Sequence, residues 1–162
     1  MNSQQIKEIL LSEIHEVSIN YEKYCNDPKR DFSRKRKLPF ELMLKNIIGM
    51  GSKSITNELI DIFQASGEMP SASAFVQQRT KIRPEALKAV FDGFMSRILA
   101  SADKMRILAV DGSDIQIETN PKDKTSHIST SIDKKSFNLL HLNALYDLEK
   151  HVYTDAIIQA AK

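Results

Sequence analysis

Through the first two-thirds of the chain, apolar residues recur every three or four positions, the spacing that lines one face of an α-helix. Between Gln4 and Cys25 they are Ile6, Leu10, Ile14, Val17, Tyr21 and Tyr24. Glu8, Glu13, Glu16 and Glu22 lie among the polar positions between them, so the stretch is predicted as an amphipathic helix capped by Asn2 or Ser3. A second helix is expected from Pro39, whose fixed φ suits a first helical position. It buries Phe40, Met43, Leu44 and Ile47 and stops at Gly49 and Gly51. Ile55, Leu59, Ile62 and Phe63 share one face of a third, capped by Ser52 or Ser54. Gly67 and Pro70 interrupt the pattern, and Ser71 opens a short helical segment through Arg79 that includes Phe75 and Val76. Pro84 starts a longer helix striped by Leu87, Val90, Phe91, Phe94, Met95 and Ile98. Three short helices joined by tight turns resemble a helix-turn-helix bundle.

After Ala102 the period changes to that of strands. Met105 to Val110 is a short apolar run ending at Asp111-Gly112, and Asp114 to Glu118 alternates Ile115 and Ile117 with polar residues. Residues 119–136 are polar and read as a long loop. Phe137 to Tyr146 and His151 to Ile158, separated by Asp147-Leu148-Glu149-Lys150, read as a hairpin. These three or four strands have no following helix to cover them, so the second half is expected to be an incomplete domain, as if truncated at Lys162.

A length of 162 residues, 41% of them hydrophobic and 27% charged, suits one ordinary domain or a small domain plus part of another and excludes a large multidomain enzyme. The apolar runs Ile107 to Val110 and Asn138 to Tyr146 fall short of the roughly 20 residues of a membrane span, so a soluble protein with no membrane partner is expected. A lone cysteine, Cys25, suits a reducing cytoplasm. Charge is unevenly spread: residues 1–27 carry a net −3, residues 28–104 a net +6 and residues 105–162 a net −1. Arg34, Lys35, Arg36 and Lys37 stand in an aperiodic loop, Asn26 to Lys37, whose only acids are Asp27 and Asp31, the footprint of a surface for polyanions.

Chemistry concentrates at Ile107-Leu108-Ala109-Val110-Asp111-Gly112-Ser113-Asp114, a strand delivering a carboxylate at its end. Asp111 there suits cation ligation; the alternative is that Asp111-Gly112 makes a turn and Asp114 caps it. His15, His127, His141 and His151 lack ligand spacing and read as surface or sheet residues. No glycine-rich phosphate cradle is present.

Several segments in order carry a family resemblance: the basic loop, Leu38-Pro39-Phe40-Glu41-Leu42-Met43, Met69 to Arg79, Ile107 to Asp114, and Asn138 to Asp147. Together they resemble the N-terminal part of an insertion-sequence DDE transposase of the "insertion sequence four" group, over most of residues 30–162. The resemblance implies an α+β chain. An all-α, DNA-binding bundle over residues 1–103 would precede, over 104–162, the first strands of an incomplete RNase H-like α/β domain. It implies Asp111 as the first of three acids that hold two magnesium ions, and transposon-end duplex DNA as partner. Arg34, Lys35, Arg36 and Lys37 would meet phosphates, and Gln77, Gln78 and Arg79 would reach base edges, with Lys81 and Arg83 just beyond. The second Asp and the Glu of that family have no match here, so the chain is expected to be catalytically incomplete in cleavage and strand transfer. The resemblance also allows a nucleoid-associated cytoplasmic location and pairing with itself or with a full-length transposase. A second reading is a non-enzymatic DNA-binding or regulatory truncated product. A third is a metal-dependent phosphohydrolase using Asp111 and Asp114.

Overall fold

Asn2 starts helix α1 (Ser3–Ile19) with a reciprocal cap: its side chain accepts from the backbone N–H of Gln5, and the Gln5 side chain accepts from that of Asn2. The helix ends at Ile19, short of the predicted Cys25, because Asn20 leaves helical geometry and Tyr21–Tyr24 tightens into a 3₁₀ turn. Helices α2 (Phe40–Gly49), α3 (Ile55–Phe63), α4 (Ala72–Arg79) and α5 (Glu85–Leu99) follow. Ser54 and Ser71 cap α3 and α4 through bonds from Asn57 N and Ala74 N, while Pro39 and Pro84 stand at the cap positions of α2 and α5. The computed structural model describes residues 2–34, 37–64, 66–67, 69–100, 106–129 and 135–160. It divides into two units, Met1–Ser101 and Ala102–Lys162, so the fold is mixed α+β.

In the helical unit the predicted stripes meet in two clusters. Ile14, Val17, Phe40, Leu44, Ala86 and Val90 join α1, α2 and α5, while Leu38, Met43, Leu59 and Phe75 join α2, α3 and α4. Phe32 and Ile82 pack against both. Each large side chain buried this way stabilises the fold by about 1.5–3 kcal/mol.

The second unit is one antiparallel sheet. Strand β3 (Phe137–Asp147) is central, with β1 (Leu108–Ile117) on one edge and β4 (Val152–Ala160) with the short β2 (His127–Ile128) along the other. The two strands expected on either side of Asp111-Gly112 are a single strand, and no turn forms there. Gly112 pairs directly with Asn143 and keeps a negative φ, so the ladder runs through the dipeptide. The long predicted loop contains β2, held by side chains as much as by backbone. Asn138, fully buried, accepts from Asn120 N (2.8 Å) and contacts His127 Nδ1 (3.1 Å). It donates to Asn120 O (3.2 Å) and Ser126 Oγ (2.8 Å), which fills all four of its positions. Asp147, also fully buried, ends β3: Arg106 bridges to it at 2.7 Å and its Oδ1 accepts from Glu149 N and Lys150 N, closing the predicted hairpin turn. Arg106 keeps one buried Nη2 without a partner among the described residues. The predicted strand start at Met105 and part of the loop, residues 130–134, lie outside the described residues. Ile157 and Ile158 point to opposite faces and are 57% and 61% exposed. Among the described residues no helix is long and apolar enough to cross a membrane.

Candidate functional site

The basic loop is shaped by its own acids and by one aromatic ring. Asp27 O accepts from Arg30 N and Asp31 N, Asp31 Oδ2 accepts from Asp27 N at 3.0 Å, and Asp27 Oδ1 accepts from Lys29 N at 3.2 Å. Phe32 then adopts a left-handed backbone, φ 57°, a conformation that costs a bulky residue on the order of 1–3 kcal/mol. Its ring offsets that cost by packing edge-on against Phe40, 5.2 Å between centroids, at the junction of both helical clusters. The chain is thereby turned so that Lys29, Arg30, Ser33 and Arg34 surround a cavity of about 410 Å³.

Gln78 of α4 and Lys81 just after it complete the lining. Tyr24–Asn26 is clipped to Thr80–Arg83 by Asn26 N to Lys81 O (3.0 Å), Arg83 N to Tyr24 O (2.8 Å) and Asn26 Nδ2 to Thr80 O (2.7 Å). That antiparallel bridge sets Lys81 beside the loop. A second cavity of about 530 Å³ adjoins the first, lined by Lys37, Leu38, Pro70, Ala74 and Gln77 among others; Gln78 and Lys81 line both.

Of the residues named from sequence for DNA contact, the fold therefore gathers Arg34, Lys37, Gln77, Gln78 and Lys81 around these two cavities. Lys37 donates to Gly67 O at 3.0 Å. Gln77 and Arg79 are exposed on α4, whereas Gln78 is buried. Gln78 follows Phe75 by three positions, and Phe75 is fully buried, so the helix turns both inward. Arg83 is exposed and paired with Glu85 at 3.0 Å. Lys35 and Arg36 lie outside the described residues. Lys29 and Arg30 complete the basic wall. Their place in the same charge run was visible in the sequence, but nothing local marked that they turn back toward α4.

Asp111 sits mid-strand in β1, exposed, opposite Ala144, with its Oδ1 accepting from the backbone N–H of Gly112 at 2.8 Å. Strand alternation places it on the sheet face of Ser113, Leu142 and Ala144. Asp114, an odd number of positions away, points to the other face, where His141 Nδ1 meets it at 2.8 Å. The pairing of Asp111 with Asp114 in a phosphohydrolase site is thus ruled out: one strand cannot aim both at one cation. Asp155, opposite Leu145, also lies on the Asp114 face. Among the described residues no group of three metal-ligating side chains is close enough to hold an ion, so the magnesium site expected from the resemblance is not completed by them. Gly112 leaves room for His141, whose Nε2 a Cβ there would approach to 3.0 Å. The Asp114–His141 pair was missed because its members stand 27 positions apart, joined only by register.

No known protein family, curated protein or solved structure matches the chain.

Proposed function

We propose that the helical unit binds duplex DNA, and that the chain is the N-terminal part of a DDE transposase with its sheet opening an RNase H-like domain. The observation that carries the DNA reading is the convergence of Arg34, Lys37, Gln77, Gln78 and Lys81, from two separated sequence segments, around adjoining cavities. Lys29 and Arg30 stand beside them, while the nearby carboxylates of Asp27 and Asp31 accept backbone N–H groups. Cations so grouped neutralise phosphates and release counterions, and each contact steepens the salt dependence of binding by about 0.9 log unit per log unit of salt. Supporting the RNase H-like reading are the antiparallel order β1-β3-β4 and a strand-borne Asp111. Magnesium, where bound by such enzymes, stabilises attacking and leaving oxygens. Among the described residues Asp111 has no second carboxylate beside it to share such an ion.

The test is fluorescence anisotropy of a labelled duplex against salt. Wild type is expected to bind at low salt, and Arg34→Gln with Lys81→Gln to flatten the log–log slope by about 2. Absence of low-salt affinity, or a slope unchanged in the double variant, refutes the assignment.

A further inference from the structure

The wall shared by the two cavities holds an unmet hydrogen bond. Gln78 is 7% exposed, and its Oε1 is buried without a partner among the described residues. A buried acceptor in that state carries a desolvation penalty that a donor from a ligand removes. The terminal torsion of glutamine is broad, so a partial turn of the amide lets this oxygen meet a donor in the cavities that Gln78 lines.

Around that amide the lining is of two kinds. The larger cavity carries an apolar side of Leu38, Met69, Pro70 and Ala74, suited to a flat ring face, beside Lys37, Ser71 and Gln77. The smaller is walled by Lys29, Arg30, Arg34 and Lys81, none of which is paired with a carboxylate among the described residues. Asp27 and Asp31, on the same wall, are engaged by backbone N–H groups. Volumes of about 410 and 530 Å³ fall in the range of small-ligand sites.

We propose that the paired cavities bind one nucleotide whose base carries an exocyclic amine. The phosphate lies against Arg34 and Lys81, the base rests on the Leu38–Pro70–Ala74 wall, and the amine donates to Gln78 Oε1. Adenine fits best, since its N6 amine donates where hypoxanthine carries an accepting carbonyl. A free nucleotide and an unpaired nucleotide at a strand end share this chemistry; the strand-borne form rests on the DNA reading above, and the free form stands without it.

The test titrates the full chain with 5′-AMP and 5′-IMP, which has a carbonyl in place of the amine, following amide shifts by NMR. AMP is expected to bind about tenfold more tightly than IMP. Gln78→Leu replaces a side chain whose buried Oε1 lacks a partner among the described residues by an apolar one of similar size, so it folds and removes the discrimination; Lys81→Met weakens both ligands alike. Equal affinity of wild type for the two, or discrimination surviving in Gln78→Leu, overturns the proposal. A duplex ending in one unpaired dA, compared with the same duplex ending in deoxyinosine, separates the sources. A preference for dA identifies the strand end, and equal binding alongside the AMP preference identifies the free nucleotide. Loss of all duplex affinity with the AMP preference intact would sink only the DNA reading.

Discussion

Replacing Gly93 by alanine is expected to destabilise the helical unit, although the same change in an exposed helix stabilises it. Gly93 lies within α5, where alanine is favoured over glycine by about 1 kcal/mol of helix propensity. The added Cβ would press on Glu13 Oε2 and come within 2.9 Å of Glu13 Cδ. Glu13 of α1 is 8% exposed and held by Arg97, whose Nε lies 2.5 Å from its Oε1. To admit the methyl group the carboxylate must swing away, losing that bridge in a closely packed contact, an overpacking cost of about 1–3 kcal/mol. The midpoint of that range, set against the propensity gain, leaves a net loss of about 1 kcal/mol and a melting temperature lower by about 4–8 °C for a unit of this size. In a Glu13→Ala background the obstruction is gone, and Gly93→Ala should stabilise by about 1 kcal/mol. The double-mutant cycle, followed by thermal and urea unfolding, should therefore return a coupling near 2 kcal/mol. A Gly93→Ala effect of the same sign and size in both backgrounds would refute the packing argument.

Two further outcomes follow from ionisation. Hydrogen bonds from the Ser126 and Thr125 hydroxyls hold the Asp123 carboxyl down to about 2, and Lys150 N with the Arg106 guanidinium lowers that of Asp147. Because the folded values are depressed, their stabilisation is complete above the ordinary carboxylate value of 3.8 and is lost as pH falls below it, for Asp123 toward about 2. Acid unfolding of the sheet followed by circular dichroism should flatten over that window in Asp123→Asn/Asp147→Asn, and an unchanged profile would contradict it. The Cys25 thiol, pushed up from 9.0 to about 11 by burial and then by Asp31 and Glu22, holds about 100-fold less thiolate at pH 8 than a free cysteine. Its reaction with a disulfide reagent should be at least that much slower in the folded chain than in urea, and comparable rates would show that the thiol is not buried.

Much of the architecture was legible locally. Helical and strand periods, Asn2, Ser54 and Ser71 as caps, and the Asp147 turn depend on neighbours within a few positions, and such interactions are written in order along the chain. The break expected at Asp111-Gly112 failed for the opposite reason. A dipeptide with turn propensity stays extended when a partner strand satisfies its backbone, and that partner, Asn143 and Ala144, lies some thirty positions away.

The candidate site divides in the same way. Which residues are basic, and that an apolar strand leads into Asp111, are properties of the sequence itself. Three things required the tertiary fold. Asp111 and Asp114 face apart because pairing with β3 keeps the chain extended through Gly112, so strand alternation runs on; Gln78 turns inward because it shares a helix face with buried Phe75; and Lys81 lines one cavity with Arg34 because the strained Phe32 is anchored in two cores at once. Long-range packing sets direction, and direction decides whether residues of suitable chemistry act on one ligand or on none.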